Sequence, residues 1–185
     1  FILKIFIAGF MHQSKIQNII GNINSYKMWN VATTHQLHYK NWNFSTGLIY
    51  VGISQVIDNG EAKSDDRFLY NLQLNGSLSY EIPKNNIQFS AYYKFNGKQQ
   101  QFFSSVENNE TVYKLSEIDN YSFLDASVRK LCYKKQLEVT LGARNLLNIT
   151  NVNQGTITGA HSNSSTILLG YGRSYFIKIA YNLNY

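Results

Sequence analysis

Proline and cysteine are nearly missing from this chain. Pro83 and Cys132 are the only ones in 185 residues. One cysteine excludes an internal disulfide framework and a CxxC metal site. Long apolar runs are missing as well. None reaches the roughly 20 residues that a transmembrane helix needs, and mean hydropathy is slightly negative. Charged residues make up only 15%. The formal net charge is +6, but Lys and Arg are scattered rather than gathered in a stripe, which argues against a nucleic-acid partner. There is no Gly-rich phosphate loop. There is also no charged leader followed by an apolar core and a cleavage site; Ile2 to Phe10 is apolar but short, and Lys4 interrupts it. The expectation is that a leader has been removed or that the chain is the C-terminal piece of something longer.

Catalytic and metal-binding constellations are equally scarce. His35 and His38 are three apart, so on a strand they point to opposite faces and cannot share one ion. His12 and His161 stand alone. Asp65-Asp66 reads as a solvated acidic turn. No Ser–His–acid set falls at neighbouring positions. The expectation is a non-enzyme without metal or cofactor.

What the chain has in quantity is tyrosine (14), phenylalanine (11) and neutral polar residues, arranged with period two. Tyr70, Leu72, Leu74, Gly76, Leu78, Tyr80 and Ile82 alternate with Leu69, Asn71, Gln73, Asn75, Ser77, Ser79 and Glu81. Only a strand with one apolar face has that period. The same alternation marks Tyr26–Tyr39, Trp42–Ile57, Ile87–Asn96, Tyr121–Tyr133, Leu137–Arg144 and Gly170–Tyr185. Phe1–Gln17 is a further segment, apolar on both faces. Glu81, Asp125, Arg129, Glu138, Arg144 and Lys178 fall on the polar face, where charges are expected to pair with one another or with a plug.

Eight strands follow from this reading. Their connections alternate: Lys40-Asn41, Pro83–Asn86 and Lys134-Lys135 are tight turns. GNINS at Gly21–Ser25, the charged run Asp58–Arg67 and the polar stretches 97–120 and 149–169 are longer. Short turns on one side and longer loops on the other characterise outer-membrane barrels. Tyr39, Trp42, Tyr80, Tyr133 and Tyr181, with the terminal Tyr185, cluster at the tight-turn ends, as an aromatic girdle at a membrane–water interface would. The expected fold is all-β: an antiparallel up-and-down transmembrane β-barrel, with residues 1–185 forming one C-terminal barrel portion.

The last strand resembles the C-terminal strand signal of bacterial outer-membrane barrels through Lys178, Ala180, Tyr181, Leu183 and Tyr185. Ala180 stands where glycine is commoner and Tyr185 where phenylalanine is commoner. The run GARNLLNITNVN resembles the end of the penultimate strand of TonB-dependent outer-membrane receptors, with Arg144, Asn145, Leu146, Leu147 and Asn148 at the matching positions. Gly172 and Arg173, in GRSYF, resemble that family's lead into its last strand. Together these cover the final forty-odd residues. The Asn/Ile/Lys/Tyr richness is similar to receptors of the Bacteroidetes group.

The resemblance implies a 22-stranded barrel of which eight strands are present, in the cell outer membrane. It implies energised uptake of a scarce nutrient such as a siderophore, haem, cobalamin or a glycan. The implied partners are outer-membrane lipid, the barrel assembly machinery that reads the last strand, the nutrient ligand, and the missing plug and strands. TonB would act through the absent plug. The alternatives are a small complete eight-stranded barrel with a structural or adhesive role, and a barrel hydrolase.

Overall fold

The computed structural model describes the backbone of residues 2–13, 17–18, 21–58, 60–156 and 165–183, and the side chains of 26–58, 60–155 and 166–183. In chain order the strands are β1 (Ile2–Gln13), β2 (Gln17–Asn18), β3 (Gly21–Tyr39), β4 (Trp42–Asp58), β5 (Leu69–Ile82), β6 (Ile87–Asn96), β7 (Gln99–Glu107), β8 (Glu110–Ile118), β9 (Tyr121–Cys132), β10 (Leu137–Arg144), β11 (Asn151–Thr156), β12 (Ser165–Leu168) and β13 (Ser174–Tyr181). One 3₁₀ turn, Pro83–Asn85, joins β5 to β6. The fold is all-β and every strand pairing is antiparallel. Among the described residues no helix is long and apolar enough to cross a membrane, which bears on helices alone.

The main sheet runs β1-β3-β4-β5-β6-β9-β10-β13, with β2 paired to the start of β3. Its eight long strands are the eight segments read from the alternation. Directly opposed residues share a face, and the register sets like against like. Trp42 faces Tyr80, Phe44 faces Leu78 and Leu48 faces Leu74; Tyr80 faces Phe89, Val128 faces Leu141 and Leu141 faces Ile177. One apolar face therefore runs unbroken from β4 to β13. The opposite face carries Asn43, Ser45, Ser77, Ser79, Gln88 and Ser90. β1 and β13 stand at opposite ends of the sheet, with no pairing between them among the described residues.

The tight turns fall as expected. Lys40 (φ 50°), Asn86 (φ 52°) and the run Tyr133, Lys134, Lys135 (φ 46°, 54°, 71°) adopt left-handed backbone that reverses the chain within a few residues. Pro83 opens its 3₁₀ turn, where its missing N–H goes unused; the Asn86 N–H closes the turn on the Pro83 carbonyl at 3.2 Å.

Three expectations are corrected. The stretches 97–120 and 149–169 are not simply loops: they build a second sheet, ordered β7-β8-β11-β12. That order repeats β6-β9-β10-β13, so each of its strands prolongs a strand of the main sheet after a short break. Asn108 and Asn109, both at positive φ, form the two-residue reversal between β7 and β8 that a right-handed strand twist favours. GNINS is not a turn. It begins β3, where Asn22 and Ile23 pair with Asp58 and Ile57, and a bulge between Ile23 and Ser25 absorbs its local preference. The last strand spans Ser174–Tyr181 rather than Gly170–Tyr185, because Gly172 and Arg173 are drawn to Asn148 instead of into the ladder.

Candidate functional site

The alternating pattern places most of the large apolar side chains of the main sheet on one face, while Ile49, Val51, Ile53, Leu69, Tyr92, Leu131 and Phe176 fall on the other; among the described residues no strand or helix contacts the first face from across the sheet. Among the described residues only Val56, Leu69 and Val152 are buried large apolar side chains. Ile177 and Ile179 are 64% and 66% exposed, and Leu37, Phe44, Leu78 and Leu141 are exposed as well. A water-soluble domain of this size would bury such residues between layers.

Aromatic rings close this face at both ends. At the tight-turn end the Trp42 and Tyr80 rings lie 4.4 Å apart. Tyr39 is the last residue of β3 and carries Lys40 above its ring, 5.3 Å from the centroid. Tyr133 lies in the β9–β10 turn, and the Tyr181 hydroxyl donates to Gln136 Oε1 at 3.4 Å. The girdle residues inferred from the sequence thus share one end of the sheet. A second cluster at the opposite end escaped the sequence reading. Trp29 meets Tyr50 edge-on at 5.5 Å and Tyr70 at 6.1 Å, while Tyr50 and Tyr70 stack at 5.7 Å. Trp29 lies on Gly52; a Cβ there would meet its Nε1 at 2.4 Å. The large ring covers backbone that the glycine leaves bare.

On the polar face Glu138 accepts from Lys178 at 3.0 Å and faces Arg129 at 3.5 Å. The Asn43 and His38 side chains share a hydrogen bond, and Asp125 Oδ1 accepts the Asn145 backbone N–H at 2.8 Å. The expected pairing of charges on this face holds for Glu138, Arg129 and Lys178. His35 faces Thr46 and His38 faces Asn43, so the two histidines do point to opposite faces.

The motif residues meet where β10 and β13 break toward the second sheet. Asn145 is 7% exposed and sits at φ 52°, a conformation asparagine tolerates better than most residues. Its Nδ2 donates to the carbonyls of Ile149 (2.8 Å) and Tyr171 (3.2 Å), and its Oδ1 accepts the Ile149 N–H at 3.0 Å. Asn148 Oδ1 accepts the Arg173 N–H at 3.0 Å. The Arg173 guanidinium returns to the Leu146 carbonyl through Nε (3.2 Å) and NH2 (2.7 Å). Gly172 passes so close that a Cβ would meet Asn148 Oδ1 at 2.7 Å. Asn145, Leu146, Asn148, Gly172 and Arg173 therefore form one knot. Arg144 lies outside it, 5.3 Å over the Phe176 ring, and Leu147 is exposed.

Further along the break, the Gly97 N–H donates to the Leu72 carbonyl at 2.7 Å, and Asn71 Nδ2 reaches the Gly97 and Lys98 carbonyls at 3.3 and 3.4 Å. Beside this staple lies a cleft of about 390 Å³ between β4, β5 and β7, whose amides come from Gln55, Asn71, Gln73, Gln99, Gln100 and Gln101. In the charged connection, Asp66 ties down β3 and β4. Its Oδ1 accepts the Ser54 hydroxyl at 2.5 Å and its Oδ2 the Lys27 ammonium at 2.9 Å. The Ser54 hydrogen bond, then that of Lys27, holds the Asp66 carboxyl below its ordinary value. Asp65 pairs with Arg67, so both acids of the expected solvated turn are engaged. Among the described residues no three His, Cys, Asp or Glu side chains could hold a metal ion.

No family model matches the chain, and neither does any curated protein or solved structure. Of the proposed assembly-signal residues, Lys178, Ala180 and Tyr181 lie in β13 and Leu183 just beyond it; Tyr185 is outside the described residues. The neighbouring Asn108 and Asn109 were the available signal for the β7–β8 hairpin. The Trp29 cluster left none, since its members are distant in sequence and only the strand register assembles them.

Proposed function

We propose that this chain is part of the wall of a transmembrane β-barrel in a bacterial outer membrane, of the TonB-dependent receptor type. That barrel would take up a scarce nutrient: a siderophore, haem, cobalamin or a glycan. The single observation that carries the reading is the apolar face. It runs across the strands of the main sheet, stands exposed, and ends in aromatic clusters. Without a second layer to bury it, such a face is stable only against an apolar medium. Trp42 and Gly52, the residue beneath Trp29, are ten apart on β4. At about 3.3 Å per residue and a tilt of about 45°, that is about 23 Å, close to the roughly 25 Å apolar band of outer-membrane barrels.

The polar face supports a hydrated interior. Its concave part is lined by Asn43, Ser45, Ser77, Ser79, Gln88 and Arg144. Among the described residues the outer edges of β1 and β13 have no strand partner, which supports partial rather than complete closure, because in lipid every backbone group must be satisfied; further strands of the same polypeptide would supply the partners. What favours the receptor type over other barrels is the resemblance of Asn145, Leu146, Leu147, Asn148, Gly172 and Arg173 to that family's motif. In this reading the tight turns face the periplasm and the second sheet stands outside the membrane. The chain supplies wall, lumen lining and outer surface, and the plug that engages TonB lies elsewhere in the polypeptide.

The test is a cysteine scan of Leu69–Ile82 in the full-length gene product, reconstituted in vesicles and labelled with nitroxide. Even-numbered positions are expected to relax with lipid-soluble oxygen and odd-numbered ones with a water-soluble nickel chelate. Loss of this alternation, with both sets equally exposed to the chelate, would sink the proposal.

A further inference from the structure

Charge is distributed unevenly along the strand axis. At the tight-turn end stand Lys40, Lys84, Lys130, Lys134 and Lys135, and among the described residues none of the five is ion-paired. At the opposite end Lys27, Arg67, Lys98 and Lys114 are paired, with Asp66, Asp65, Glu117 and Glu107, and Lys63 lies among the acids of the 58–67 connection. Acidic residues show the same division. Asp58, Glu61, Glu110 and Asp119 join those four at the far end. Among the described residues the turn end has only Glu81 and Glu138, and Glu138 is already engaged by Arg129 and Lys178.

The five lysines are also placed in a particular way. Lys40, Lys84 and the pair Lys134-Lys135 occupy the three tight turns, which recur every second strand along one rim. At about 4.8 Å per strand that spaces neighbouring turns about 10 Å apart. Lys130 lies on the apolar face itself, between Ile87 and Val139, two residues before β9 ends. Its exposed side chain stands beside the girdle of Tyr39, Trp42, Tyr80 and Tyr133. A lysine there keeps its stem along the apolar surface and sends its ammonium to the interface.

We infer that this lysine rim binds the anionic headgroups of phospholipids, such as phosphatidylglycerol, in the leaflet that surrounds the tight-turn end. The inference rests on the reading that the apolar face meets hydrocarbon, and adds which lipid the turn end selects. Unpaired ammonium groups at the level of the girdle lie where lipid phosphates lie. The rim has almost no carboxylate of its own to neutralise it. Basic segments beside a membrane surface gain on the order of fivefold in affinity per lysine from anionic lipid at low salt.

The experiment uses the full-length gene product in phosphatidylcholine vesicles containing spin-labelled phosphatidylglycerol or spin-labelled phosphatidylcholine. The readout is the fraction of label immobilised by the protein. At low salt a several-fold preference for phosphatidylglycerol is expected, fading as sodium chloride is raised. The combined variant Lys40→Gln, Lys84→Gln, Lys130→Gln, Lys134→Gln and Lys135→Gln is expected to bring the preference close to one; Lys63→Gln with Lys94→Gln is expected to leave it unchanged. Equal association of both lipids with the wild-type protein would overturn the inference. So would a preference indifferent to salt, which can be read even if the five-fold variant does not fold. Displacement of phosphatidylglycerol by inorganic phosphate at matched ionic strength would also overturn it, marking a site for free anions instead. Immobilisation of neither lipid would remove the membrane reading itself, and this inference with it.

Discussion

The backbone N–H of Arg173 donates to the side-chain oxygen of Asn148 at 3.0 Å, while the Arg173 guanidinium returns to the carbonyl of Leu146, two residues earlier. One arginine thus closes a ring between the end of the penultimate long strand and the approach to the last. Backbone groups that leave the ladder here are satisfied by side chains instead.

Asn145 holds the most consequential set of these bonds. Asn145→Ala leaves the Ile149 N–H and the Ile149 and Tyr171 carbonyls without that partner, and places alanine at positive φ. A loss of about 1–3 kcal/mol is expected. Urea unfolding of the reconstituted full-length protein, followed by heat-modifiable electrophoretic mobility, measures it. Leu147→Ala, at an exposed neighbour, is the control and is expected to change little.

Parity on β5 gives a sharper contrast. Leu74 and Asn75 are adjacent, yet on the reading above one meets hydrocarbon and the other the lumen. Leu74→Arg is expected to cost about 2–4 kcal/mol near the middle of the band, and Asn75→Arg much less. The same unfolding measurement distinguishes them; equal costs would contradict the assignment of faces.

The two tryptophans sit at opposite ends of the apolar face. Variants retaining only Trp29 or only Trp42 are each expected to show strongest quenching by lipids brominated near the headgroup, and weak quenching by lipids brominated near the chain ends. Gly52→Leu is expected to displace the Trp29 ring and shift its emission, since even a Cβ at that position meets the indole.

Asp66 carries a pH dependence. Its folded carboxyl titrates below the ordinary value of 3.8 because Ser54 and Lys27 hydrogen-bond the charged form. The resulting stabilisation is present above 3.8 and is lost as pH falls through the lowered folded value. Amide exchange in the connection 58–67 is therefore expected to quicken under acid below 3.8. Ser54→Ala is expected to move that onset to higher pH, toward the ordinary value.

The eight long strands were legible because a one-sided sheet imposes period two, and β5 keeps it without a fault from Tyr70 to Ile82. The tight turns were legible from Pro83, Lys40-Asn41 and the paired lysines. The second sheet was not. In β7 and β8 the phenylalanines, serines and charges mix on both faces, so no period stands out, and β11 pairs with β8 from a segment some forty residues away. The motif residues were visible as a string, but their meeting depends on left-handed backbone at Asn145 and Asn148, which composition alone does not announce.

The four breaks, at Gly97-Lys98, Asp119-Asn120, 145–150 and 169–173, fall at one level across adjacent strands and act as a crease between two plates. Because the crease is closed by its own bonds, the outer plate can be re-sequenced without retuning the thickness of the inner one. On the reading proposed above, the plate that would meet the outside world is thereby free to diversify while the plate that would fit the bilayer stays constant.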